Sequence, residues 1–171
     1  LGRVFVTPLD YHLLRGCPVA LHLVNQVHHE LPHQIVAAVD LFDTVTQIRD
    51  VNDAIIQAAH TLAVQCDASL HLLYAYDLSP AFNGDTPLIT GCWNVAFMDE
   101  LRASLHQAFN TLAERYGIAP ERRHFFMGLP MPVISAFVDD YQADVVVMGT
   151  LHRVGTNRFI GSTMERALYS L

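Results

Sequence analysis

Glycine, serine and threonine cluster near the carboxyl end of this chain in an order that could hold an anion. Gly149 follows the apolar run Val145-Val146-Val147-Met148. A polar loop with Gly155 comes next, and Gly161-Ser162-Thr163 leads into a helical pattern. A strand, a glycine-punctuated loop and a helix start present unpaired N–H groups and the positive end of a helix dipole. Gly161, Ser162 and Thr163 would add N–H and hydroxyl donors for phosphate oxygens. Ser162-x-x-Glu165 is also a capping box, which by itself accounts for the serine. Arg153 and Arg158 in the loop suit either phosphate pairing or plain solvation. A second chemical residue is Asp40, which closes the apolar run Ile35 to Val39. Ligands of open α/β sheets sit at the carboxyl ends of strands, so Asp40 is a contact candidate. An acid at that place also caps a turn.

Other constellations carry less. His28-His29-Glu30-Leu31-Pro32-His33 offers three imidazoles and a carboxylate, a donor set that suits zinc. Pro32 prevents a helical i, i+4 pair there, and no protein metal site is expected. His22 and His71 fall on apolar, strand-like runs and read as packed side chains rather than catalytic ones. No Ser-His-Asp or Cys-His arrangement has supporting local sequence. Asp40-Leu41-Phe42-Asp43 is not the GxGxxG that a nicotinamide enzyme needs after its first strand. All ten basic residues are Arg, so a Walker or Schiff-base lysine is excluded.

The elements that must position these residues can be read from periodicity. Hydrophobic residues make up 51% of the 171 and charged residues 16%, a composition that can build a core. The net charge of -7 argues against nucleic acid as a main partner. No apolar run approaches the roughly 18 residues of a membrane span. Cys17, Cys66 and Cys92 are odd in number and lack CxxC spacing, which points to reduced thiols and a cytoplasmic setting.

Strands are expected at Ile35 to Val39, Ser69 to Tyr76, Arg122 to Met127 and Val145 to Met148. Helices are expected at Asn52 to Cys66, Val95 to Tyr116 (ended by Gly117) and Met131 to Tyr141, with a last one from Ser162. On the first helix Ile55, Ile56, Ala59, Leu62 and Ala63 share a face. On the second, Phe97, Leu101, Leu105, Phe109 and Leu112 form a core stripe. Strands alternating with helices predict a parallel sheet with helices on both faces. Asp77 to Cys92 reads as a long loop. Its Phe82, Leu88 and Ile89, with Trp93, either fold back on the sheet or line a groove for an apolar ligand.

The two ends of the chain resemble each other. Phe5-Val6-Thr7-Pro8-Leu9 lies beside Phe159-Ile160-Gly161-Ser162-Thr163, and the same offset pairs Leu14 with Leu168. Each end places an aromatic-aliphatic pair before a helix cap. The expected organisation is tandem. Residues 1–25 would be the final helix and strand (Pro18 to Val24) of a preceding domain, and 26–33 a linker. Residues 34–171 would be a second domain without its last strand. The Pro18 to Val24 strand is expected at a sheet edge near the fourth strand, either of this chain or of a partner.

Four stretches carry a resemblance to the universal stress protein family: IVAAVDLFD from Ile35, GLPMPVI from Gly128, ADVVVMGT from Ala143 and FIGSTMERAL from Phe159. Tandem members of the E type resemble the whole chain, including TPLDYHLLRGCPVALHLV as the tail of a first copy. The resemblance implies an open parallel sheet sandwiched by helices, of the adenine nucleotide alpha hydrolase-like, Rossmann-like kind, with order 3-2-1-4-5. It implies an ATP or other adenine-nucleotide site, with Mg only as the nucleotide's companion. Asp40 would lie by adenine and ribose, Ala75 would offer backbone groups to the ring, and Met148 and Gly149 would end the fourth strand. His152, Gly161, Ser162 and Thr163 would take the phosphate side. The family's binding loop reads G-x2-G-x9-G-(S/T). Here His152 stands at the second glycine, and the loop to Gly161 is one residue short.

The expected function is therefore a cytoplasmic stress-response protein that binds adenine nucleotide and pairs with itself, as a homodimer or between tandem domains. It is not expected to be an enzyme beyond slow ATP hydrolysis, since no base is recognisable. Two other readings stand beside it: an interaction or dimerisation module with a degenerate pocket, and a carrier of an apolar ligand.

Overall fold

The computed structural model of the chain describes residues 20–24, 30–41, 46–77 and 95–149. Four strands form one parallel sheet: β1 (Gln34–Ala38), β2 (Ser69–Tyr76), β3 (Arg123–Met127) and β4 (Val145–Met148). They lie in the order β3-β2-β1-β4. Three helices connect them: α1 (Thr46–Cys66), α2 (Val95–Arg115) and α3 (Pro130–Tyr141). The elements and their sequence agree with the periodicity to within a residue or two, except that α1 begins at Thr46 rather than Asn52.

β1 is central, and Ile35, Val36 and Ala37 are fully buried, because both faces of a parallel strand are covered. On one face Ile35, Ala37, Leu72 and Tyr74 pack under Ile55, Ile56, Ala59 and Ala63 of α1 and Leu105, Phe109 and Leu112 of α2. On the other, Val36 and Leu73 pack under Met131, Ile134 and Phe137 of α3. The anticipated apolar faces of α1 and α2 are thus the core, with one correction. Phe97 is 47% exposed, one turn too early along α2 to reach the sheet.

All three helices stop in the same way. Asp67, Gly117 and Gln142 adopt positive φ of 54°, 64° and 50°. The next residue in each case turns its N–H back into the last turn: Ala68 to Ala63 O, Ile118 to Ala113 O and Ala143 to Val138 O. This satisfies carbonyls that a helix end would otherwise leave unpaired.

Residues 20–24 form no edge strand in the described sheet. They run without ladder pairing, and His22, Leu23 and Val24 are exposed. A strand has no stability of its own without a neighbour to pair with, so apolar alternation alone does not make one. His22 is accordingly not packed. The helix expected before Pro18 and the one from Ser162 lie outside the described residues.

The amino end of β1 is fixed by a residue from the far end of the chain. One carboxylate oxygen of Asp144 accepts from the backbone N–H groups of His33 (2.7 Å) and Gln34 (2.8 Å). The Asp144 N–H donates to Gln34 O at 2.8 Å. These bonds start the β1–β4 ladder in register, with Ile35 opposite Val145. Asp144→Ala is expected to lower unfolding free energy in urea by about 1–3 kcal/mol, the usual range for charge-assisted bonds. A change under about 0.5 kcal/mol would remove Asp144 from this role.

Candidate functional site

The topology creates one place where a ligand can enter the carboxyl edge of the sheet. From β1 the chain passes by α1 to β2 and by α2 to β3 on one face. It then returns by α3 on the opposite face to β4, beside β1. The order reverses between β1 and β4, and such a switch point is where open α/β sheets characteristically take a ligand.

Four of the anticipated residues are described, and all lie at that edge. Ala38 is opposite Met148 on one side and Leu73 on the other. Asp40 lies two residues past Ala38, Gly149 one past Met148, and Ala75 two past Leu73. Asp40 is exposed, while Ala75, Met148 and Gly149 are half-buried. Met148 packs on the α3 side. Ala75 shares that side with Leu73 by strand alternation. His152, Gly161, Ser162 and Thr163, with Gly155, Arg153 and Arg158, lie outside the described residues. So does the 78–93 part of the loop considered for an apolar ligand.

Gly149 has a structural reason to be glycine. A Cβ there would lie 2.6 Å from Val51 Cγ1 and 3.0 Å from Ile55 Cδ1. Helix α1 crosses directly over the end of β4, and only a bare backbone fits beneath it. Spacing alone suggested a phosphate approach; the packing supplies an independent cause.

Two residues at the edge were not singled out from the sequence. Asn52, buried at 4% exposure, bonds the backbone of Asp40 from α1. Tyr74 is 1% exposed, and its hydroxyl has no hydrogen-bond partner among the described residues. Burial, and then the Asp40 carboxylate, push the Tyr74 pKa upward; the nearby Leu41 backbone acts in the opposite direction without meeting hydrogen-bond geometry. Tyr74 therefore stays a neutral phenol beneath the strand end. Neither residue carries a motif, because an Asn on a helix and a Tyr on a strand are ordinary until the fold brings them to Asp40.

A second polar cluster lies under α3. His71 Nε2 lies 2.9 Å from Gln34 Oε1, and His71 Nδ1 lies 2.9 Å from His124 Nε2. The Gln34 oxygen can only accept, so His71 donates to it and accepts from His124. The rings are enclosed by Phe137 and Tyr141, whose centroids lie 4.6 and 4.8 Å from His124. Burial, and then Arg122, lower the pKa of His71. Burial, and then His71, lower that of His124 to about 4. Both rings are neutral and bonded to each other, which makes them packing elements. The reading of His71 as a packed residue thus holds. Among the described residues no group of three or more His, Cys, Asp or Glu could hold a metal, and no helix is long and apolar enough to cross a membrane.

Comparison with known proteins agrees with this architecture. Residues 33–170 match the model of the Universal stress protein family. Universal stress protein E of Escherichia coli K12 is 30% identical over 98% of this chain and 53% of its own length. The chain therefore spans about half the length of the curated relatives it matches. A solved structure of a putative universal stress protein from Pseudomonas aeruginosa UCBPP-PA14 superposes with TM-score 0.78 at 26% identity. It covers 96% of this chain and 54% of that one. A functionally unknown protein from Pseudomonas aeruginosa PAO1 superposes with TM-score 0.79 at 25% identity, covering 98% and 54%.

Gly149→Ala is expected to cost about 1–3 kcal/mol of stability, since Val51 and Ile55 must give way. An unchanged urea midpoint would show that α1 does not press on β4 there. The histidine pair predicts a pH dependence. The unfolded chain takes up protons near the ordinary pKa of 6.5, whereas folded His124 resists them down to about 4. Stability is thus complete above pH 6.5 and falls as pH is lowered towards 4. His124→Phe should make that fall in melting temperature shallower. An identical slope in the variant would rule out His124 as its source.

Proposed function

Because this chain belongs to the universal stress protein family, we propose that it is a stress-response binding protein with an adenine-nucleotide site in the β1–β4 crevice. The observation that supports this reading is that Asp40 and Gly149 follow the carboxyl ends of β1 and β4, the two strands between which the order reverses, with Met148 closing β4 and Ala75 at the same edge on neighbouring β2. The exposed Asp40 carboxylate is an acceptor suited to ribose hydroxyls or an adenine amino group. Ala75 is small and half-buried, leaving backbone groups and room for a flat ring. Phosphates would be taken by the loop from His152 to Gly161 and the N–H groups of Ser162 and Thr163, with Mg bound only through the nucleotide. The chain works by binding: among the described residues none near the crevice is placed as a base, and ATP turnover, where present, is slow. Its reduced cysteines fit the cytoplasm, and its partners are a second copy or a tandem domain.

A second reading is favoured by one observation in the sequence and one in the structure. His152 stands where the family's loop has its second glycine and the loop is one residue short, which would crowd a phosphate, and the glycine character of Gly149 is already explained by packing under α1. On that reading the crevice is closed to nucleotide and the domain acts through contacts with itself.

Titration calorimetry with Mg-ATP separates the two. Heat of binding is expected with the unaltered protein. Asp40→Ala should weaken the affinity about tenfold or more, as removal of one charge-assisted hydrogen bond does. No heat at millimolar nucleotide leaves the interaction module standing instead.

A further inference from the structure

With His124, Asn52 is one of the two residues that make up the buried polar set among the described residues. A buried amide must place its donors and its acceptor, and Asn52 places both arms on one residue. The Asp40 N–H donates to Asn52 Oδ1 at 3.2 Å, and Asn52 Nδ2 donates to Asp40 O at 2.6 Å. The side-chain amide thereby imitates a peptide group of a neighbouring strand.

Parallel-sheet geometry says which strand it imitates. Successive residues of a strand turn their N–H and C=O groups to opposite sides. Val39 turns to β2, donating to Leu73 O at 3.0 Å. Asp40 is therefore turned towards the β4 side. The last paired rung there is Ala38 with Met148. At the next place on that side, Asp40 is paired with α1 instead of with β4. Val51 and Ile55, which flank Asn52 on the helix, press on Gly149 as β4 ends.

We infer that Asn52 is the positioning residue of the crevice: its amide takes the place of β4 as the ladder partner of Asp40. This lets β1 and β4 part without leaving the Asp40 peptide groups unpaired, and it fixes the strand end that carries the Asp40 carboxylate. Asn52 acts through Asp40 and not on a ligand. The consequence for nucleotide affinity rests on the function proposed above; the pairing itself does not.

Two readouts test this on the whole chain. In Asn52→Leu, amide hydrogen exchange at Asp40 should speed up about tenfold or more, while Val36 and Leu72 amides keep their protection. The dissociation constant for Mg-ATP should rise about tenfold or more. Asn52→Asp should fall between, because a carboxylate accepts from the Asp40 N–H but cannot donate to its carbonyl. It carries the same readouts if the leucine variant does not fold. Ile56→Val, altered next to Asn52 in the core, should lower the urea midpoint and leave both readouts unmoved. Unchanged Asp40 exchange in a folded variant overturns the assignment. So does faster exchange with unchanged ATP affinity. An unaltered protein that binds no ATP overturns the nucleotide reading alone, and the exchange data still decide the role of Asn52.

Discussion

The structure depends on the backbone of β1 being satisfied along its whole length. The middle of this strand, Ile35 to Ala37, is buried on both faces and paired on both edges, so water does not reach those peptide groups. A buried N–H or C=O without a partner costs about as much as a lost hydrogen bond. Regular pairing with β2 and β4 covers the middle. At the amino end the Asp144 carboxylate takes two N–H groups, and at the carboxyl end the Asn52 amide takes the peptide groups of Asp40. Both devices are side chains acting as backbone, supplied from elements distant in sequence.

The rest of the architecture follows from that strand. An apolar strand covered on both sides needs helices on both faces, and α1 with α2 on one and α3 on the other provide them. The crossing back from β3 to β4 leaves the sheet order reversed beside β1. That reversal opens the carboxyl edge, and α1 sets its shape. Its Val51 and Ile55 require glycine at 149, and its Asn52 holds Asp40. On the α3 side His71 and His124 bond each other, and His71 bonds Gln34 of β1, while burial keeps both rings neutral.

A binding role for the family suits such a scaffold. On the proposed function, a site at the switch point needs no reactive side chain, and the loops that leave the strands would choose the ligand. Asp40, Ala75, Met148 and Gly149 lie at strand ends, as the resemblance implies, and His152 is where the sequence departs from the loop pattern it resembles. Its scaffold is thus that of its relatives, while the side that would approach phosphates is its own.

The sequence by itself determined the elements, their parallel order and the family. Those signals are local: periodicity places the apolar faces of α1 and α2, and short motifs such as GLPMPVI survive in one stretch of chain. Asp40, Ala75, Met148 and Gly149 were legible as strand-end residues for the same reason. Only the tertiary structure decided what holds them. Asn52, the Tyr74 hydroxyl that has no partner among the described residues and the packing of Val51 and Ile55 on Gly149 have no local signature. Each gains its meaning from a residue on another element. The tertiary structure also decided that Ala20 to Val24 is not a strand in the described sheet and that Phe97 lies outside the core. Alternation and spacing say which face a side chain would show, but pairing and burial depend on what the rest of the chain brings opposite it.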